Sequence, residues 1–133
     1  MSYPPIFPHD PIEEIFPDIF MLRGSIRIGP GMTMNRNMVI IRQNDSLTLV
    51  NPVRIKKEIL TSLGTVDHLV RLGDFHGLDD KYYQDTHGAK LWCQRGQSTY
   101  PVNSSETILL DSTGDLPVDG ADIFEFENAA FPE

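Results

Sequence analysis

The change of hydrophobic period between residues 19 and 93 constrains this chain more than any other feature. From Ile19 the apolar positions recur at every second residue. Phe20, Leu22, Ile26 and Ile28 alternate with Met21, Arg23, Ser25 and Arg27, as a half-buried strand requires. Gly29-Pro30-Gly31 stops that strand. Residues 38–42 and 47–50 are two further β-rich runs, joined through Gln43-Asn44-Asp45-Ser46, a composition suited to a hairpin tip. The period then lengthens. After Asn51-Pro52, the residues Ile55, Ile59, Leu60 and Leu63 share one helical face, and Gly64 marks its stop. Residues 66–72 predict a strand, 80–86 a two-turn helix with Asp79 as N-cap and Gly88 as stop, and 89–93 another buried strand. Three antiparallel strands, the third of which opens a β-α-β-α-β series, require right-handed crossovers and a sheet covered by helices on one face, an α+β fold.

The flanks are less regular. Pro4, Pro5, Pro8, Pro11 and Pro17 exclude a regular helix or a central strand from residues 1–18. Ile6, Phe7, Ile12, Ile15 and Phe16 nevertheless make this stretch too apolar for a free tail. The expectation is an extended arm lying on the domain, with one helical turn at residues 11–16 as its only local structure. Residues 94–105 read as a loop, 107–110 as a strand and 111–119 as a turn-rich connection. Ile123, Phe124 and Phe126 suggest one last strand. The organisation is therefore an arm, 1–18, and a single domain, 19–133.

Composition narrows the function classes. With 133 residues, 40% hydrophobic and 23% charged, the chain has the make-up of one globular domain. Its net charge of -8 repels a phosphate backbone and an anionic membrane surface, which argues against nucleic-acid and membrane partners. Cys93 is the only cysteine, so neither an internal disulfide nor a four-cysteine metal site can form. No segment approaches the roughly 20 apolar residues of a membrane span, and the N-terminus lacks the basic start and apolar core of a signal peptide. The expected location is the cytoplasm.

The densest set of chemically able side chains lies in the loop after the strand at 66–72. Gly73, Asp74, Phe75, His76, Gly77, Leu78, Asp79 and Asp80 place an imidazole and three carboxylates within seven positions. A metal hydrolase holds its ion with three or more protein ligands and leaves a position for water, whose pKa the ion lowers. Asp74, His76, Asp79 and Asp80 could supply one nitrogen and several oxygens, a set that suits iron, manganese or magnesium better than two zincs. A purely structural reading competes with it. Asp79 would cap a helix, Asp74 would satisfy backbone amides in the turn, and His76 would bond a carbonyl.

Elsewhere the structural reading leads. His68 alternates on a buried strand, His87 sits in the last turn of the short helix where its positive form suits the helix dipole, and Cys93 is a small core residue. Tyr82 and Tyr83 could frame a substrate, but the structural reading packs one of the pair under the helix. Gly29-Pro30-Gly31 lacks the length and the lysine of a phosphate loop.

In the series NMVIIRQNDSLTLVNPV, followed by IKKEILTSLGTVDHLVRLGDFHGLDDKYYQDTHGAKLW, residues 26–93 resemble the metallo-β-lactamase-fold superfamily. There a hairpin leads to a helix, then to a strand ending in a metal loop of pattern His-x-His-x-Asp-His, then to a short helix and another strand. Placing His76 on the second histidine puts Asp74 on the first, Leu78 on the aspartate and Asp79 on the last histidine, while a one-residue shift would bring Asp79 or Asp80 onto the aspartate. Only His76 matches in kind, and no histidine follows His87.

The resemblance implies the first half of an αββα sandwich, with the sequence a piece of a longer protein. Alternatively, the N-terminal arm covers the exposed sheet. It also implies a divergent domain of unassigned activity, its two-metal site lost or altered. Two further readings stay open. One is a mononuclear hydrolase binding a single zinc, iron or manganese ion through Asp74, His76, Asp79 and Asp80, acting on an unidentified small molecule. The other is a binding or assembly module that pairs with a second copy as a homo-oligomer.

Overall fold

A computed structural model describes residues 2–96 and 99–127 of the chain. In order the elements are β1 (Glu13–Phe16), β2 (Ile19–Gly29), β3 (Met32–Gln43), β4 (Ser46–Val50), α1 (Lys57–Thr61), β5 (Thr65–Arg71), α2 (Asp80–His87), β6 (Lys90–Cys93) and β7 (Thr107–Leu109). The seven strands form one sheet in sequence order. Pairing is antiparallel from β1 to β4 and parallel from β4 to β7. The α+β class and the hairpin followed by β-α-β-α-β are those read from the period changes.

Local chemistry explains the joints. Asn44 and Asp45 both adopt positive φ, 51° and 65°, which is the geometry a two-residue hairpin needs and which these two side chains tolerate. Gly88 ends α2 at φ 67°, and its N–H bonds the Gln84 carbonyl. Gly64 is required for space. A Cβ there would stand 2.4 Å from the Asp45 carbonyl oxygen, where Thr65 begins β5 alongside β4.

The two faces of the sheet are covered differently. Phe20, Leu22, Met38, Ile40, Leu47, Leu49, Leu69 and Leu91 face α1 and α2, which contribute Leu60, Tyr82 and Tyr83 to the main core. Burial of this kind supplies about 25 cal/mol per Å² of apolar surface removed from water, so this face carries most of the stability. The opposite face carries Val50, Val70, Trp92 and Leu110, with Leu116 and Ile123 packed against them. That face is crossed by residues 110–123. The Gln43 side-chain amide clasps the crossing, donating to the Asp119 carbonyl and accepting from the Asp119 N–H, both at 3.0 Å.

Three expectations are corrected. The helical turn at residues 11–16 is an edge strand, β1, because Pro11 and Pro17 bracket a run whose backbone pairs with β2 and whose Glu13 bonds Arg23 at 2.8 Å. Residues 121–126 form no strand; Phe124 and Phe126 stand exposed and touch edge to face at 5.5 Å. The N-terminal arm does not cover the face away from the helices. Its Tyr3 and Ile12 pack on the helix side.

His68, expected in the core from its place in β5, is half-buried there and has a side-chain partner. The Trp92 indole N–H donates to its Nδ1 at 3.1 Å, which requires the neutral ring. Burial lowers the His68 pKa below 6.5. A base whose folded pKa is depressed contributes stability above its unfolded pKa and loses it as pH falls through the folded value. Stability should therefore decline below about pH 6.5, and the decline should be smaller in His68→Leu. Denaturation followed by the fluorescence of Trp92, the sole tryptophan, checks this between pH 5 and 8; identical pH profiles for the two proteins would contradict it.

Candidate functional site

The loop between β5 and α2 carries all four candidate ligands, and the fold sends them in different directions. Asp74 is buried. Its Oδ1 accepts the Thr99 N–H at 3.2 Å, while the Thr99 hydroxyl donates to the Asp74 carbonyl. It thus serves the amide of Thr99, 25 residues further along the chain. His76 is exposed beside a cavity of about 120 Å³ lined by Ile26, Met34, Pro52, Val53 and Phe75.

Asp79 and Asp80 are buried and ion-paired. Asp79 occupies the N-cap position of α2 but makes no side-chain cap bond. Its Oδ2 instead accepts the Arg54 N–H and the Arg36 Nη1, each at 2.8 Å. This corrects the expected capping role: with two donors converging from β3 and the 51–56 connection, the charge-assisted pair outcompetes the helix amides. Asp80 Oδ2 accepts from Arg71 Nε at 2.8 Å and Nη2 at 2.7 Å. Arg71 Nη1 continues to the Tyr100 carbonyl at 2.8 Å. Burial raises the Asp80 pKa to about 6 against the lowering pull of Arg71.

Backbone and aromatic groups hold these pairs in place. Gly77 lies flat on Arg71: a Cβ there would fall 2.6 Å from Arg71 Cζ and 2.7 Å from the Tyr100 Cβ. Tyr83 donates its hydroxyl to the Val53 carbonyl at 2.7 Å and accepts the Ile55 N–H at 3.4 Å, tying α2 to the connection that carries Arg54. Burial pushes its phenol well above the ordinary range. The Arg54 guanidinium lies 4.3 Å from the Tyr82 ring centroid. Both tyrosines are therefore packed, where the sequence assigned that to one. His87 is half-buried, and desolvation with Lys57 nearby lowers its pKa, so the expected charged form at the helix end is disfavoured. Cys93 is buried and its thiol pKa is raised by desolvation, as suits a core residue.

The donor set does not fit a divalent ion as arranged. No group of three His, Cys, Asp or Glu side chains converges among the described residues. The Oδ2 atoms of Asp79 and Asp80 already face guanidinium groups, whose charge opposes a metal cation beside them. Six polar atoms are buried without a hydrogen-bond partner among the described residues, and four of them belong to this cluster: Asp79 Oδ1, Asp80 Oδ1, Arg36 Nη2 and Arg54 Nε.

Sequence reasoning found the carboxylates and missed Arg36, Arg54 and Arg71. One signal was present, an arginine inside the apolar run Val66-Asp67-His68-Leu69-Val70-Arg71 just ahead of the acidic loop. A buried cation at that place requires a carboxylate.

No family model matches the sequence, and no curated protein matches it. Solved structures do. The chain aligns with the metallo-β-lactamase DIM-1 over 68% of its residues and 45% of that chain, at 13% identity and a TM-score of 0.55. A metallo-β-lactamase from Erythrobacter litoralis aligns over 63% and 41%, at 10% identity and TM-score 0.53. FIM-1 from Pseudomonas aeruginosa aligns over 66% and 44%, at 11% identity and TM-score 0.51. The chain thus spans less than half the length of each of these three structures.

The buried pairs set a stability expectation. Arg71→Met leaves Asp80 as an unpaired buried charge and should cost about 3–5 kcal/mol, whereas Arg71→Met with Asp80→Leu should recover most of that. Urea denaturation of the two variants checks it; equal losses would show that the pair is incidental. Over about two thirds of its residues the fold of this chain is that of the metallo-β-lactamases, matching their first half.

Proposed function

We propose that the chain is a divergent metallo-β-lactamase-like domain in which the two-metal site is altered into arginine–aspartate pairs, and that it performs no metal-dependent hydrolysis. The observation that carries this reading is the commitment of Asp79 to Arg36 and of Asp80 to Arg71, both inside the protein. Of the loop's family-like positions only His76 is a histidine in register, and it is exposed. The guanidinium groups supply the positive charge that the loop carboxylates need, so the loop keeps its shape without an ion. His76 then has no ligand partner to complete a site, and the domain's role is in binding.

A second reading draws on one specific observation. Asp79 Oδ1 and Asp80 Oδ1 are buried and unpartnered on neighbouring residues, which suits a single zinc, iron or manganese ion held with Asp74 and His76 after the loop rearranges. FIM-1, described in a mono-zinc form, shows that one zinc can sit in a protein of this fold.

Metal content separates the two. Purified protein should contain well under one equivalent of zinc, iron or manganese, and its melting temperature should be unchanged by chelator. One equivalent of metal that disappears in His76→Ala would instead establish the mononuclear site.

A further inference from the structure

The N-terminal arm is held by side chains that belong to three other parts of the fold. Tyr3 donates its hydroxyl to Asp85 Oδ2 at 2.9 Å and sets its ring edge to face against Tyr82 at 5.4 Å. The Pro4 carbonyl accepts Arg54 Nη1 at 2.5 Å, and the Arg54 guanidinium lies 5.9 Å from the Tyr3 ring. Phe7 places its ring 5.6 Å from the Arg36 guanidinium. The Pro8 carbonyl accepts the Ser25 hydroxyl at 2.6 Å. At the entry to β1, Asp10 donates its N–H to the Arg23 carbonyl at 2.8 Å.

This is the chemistry of a bound peptide. Pro4, Pro5 and Pro8 fix φ and have no N–H to satisfy, so the segment enters its site with little entropy to lose. Its inward side is Tyr3, Pro4 and Phe7, while Pro5, Ile6 and Pro8 face solvent. The wall it meets is also braced by contacts outside the arm. Arg36 is fixed by Asp79 and by the Ser25 carbonyl at 3.0 Å, and Arg54 lies against Tyr82. An aromatic platform, one guanidinium donor from Arg54, a second guanidinium from Arg36 that faces the Phe7 ring, a hydroxyl donor and a carboxylate acceptor line up along it. Extended proline-rich segments are recognised elsewhere by aromatic-lined grooves with carbonyl-directed donors of this kind.

We propose that this surface is a peptide-recognition groove, that residues 3–8 are its occupant in cis, and that it takes in trans an extended peptide of the same chemistry: a tyrosine, two prolines, and a phenylalanine four residues after the tyrosine. The groove shares Arg36 and Arg54 with the Asp79 pair, so occupancy and the order of the loop after β5 are coupled.

The test uses the full chain and a fluorescein-labelled peptide of residues 2–11, SYPPIFPHDP. In the wild type the tethered arm competes at an effective concentration on the order of 1 mM, so the peptide should bind Tyr3→Ala/Phe7→Ala about ten-fold more tightly than wild type. Adding Asp85→Ala to that host should weaken this peptide but not a version with phenylalanine in place of its tyrosine. A folded double variant that binds no better than wild type overturns the proposal. Should the double variant not fold, hydrogen exchange on the wild type decides. Exchange of the Asp10 amide before those of β2 and β3, accelerated by unlabelled peptide, supports a displaceable arm. Exchange only with global unfolding overturns it.

Discussion

The Asp79 carboxylate is the point on which the rest of the structure depends. It is fully buried, and it receives Arg36 from the long β2–β3 hairpin and the Arg54 backbone from the connection between β4 and α1. The first turn of α2 follows it directly. A buried charge so placed is weak evidence for net stability, since desolvation offsets much of the attraction, but removing one partner strands the other. The pair therefore acts as a positional lock. It decides where α2 starts and how the loop after β5 is drawn, and with it where His76 points. The arm closes over the same two arginines from outside, with Tyr3 near Arg54 and Phe7 against Arg36. One carboxylate thereby brings together four segments remote in sequence.

The fold was legible because its signals are local. Alternation in residues 19–28, turn residues at Asn44-Asp45, one apolar helical face in 55–63 and a glycine at 88 each report on neighbours in sequence. Boundaries moved only where local signals were weak. β3 starts at Met32, well before the expected 38, because residues 32–37 pair with β2 beyond the core and need no apolar face. The short helix α1 covers five residues of the stretch that periodicity marked.

The candidate site was half legible for a related reason. Carboxylates crowded in one loop are visible in the sequence; the cations that meet them are not, because Arg36 and Arg54 come from other elements. Asp79 satisfied every local criterion for an N-cap and sits at that position, yet tertiary donors claimed its oxygens. In the same way Asp74 bonds Thr99, 25 residues away. Where a buried charge is concerned, the long-range partner outweighs the local one, and sequence spacing is silent about it.

The clasp between Gln43 and Asp119 has a consequence for how the molecule assembles. A side-chain amide there makes the two hydrogen bonds that a neighbouring strand would make, and it closes a separation of 76 residues. Loop closure over such a length is entropically slow to be rewarded, while the β2–β3 and β3–β4 hairpins need only local pairing. The face bearing Val70 and Trp92 is therefore covered last. Until residues 110–123 lie down, the chain is a sheet with helices on one side and an open apolar surface on the other, the species in which intermolecular sheet packing competes with folding.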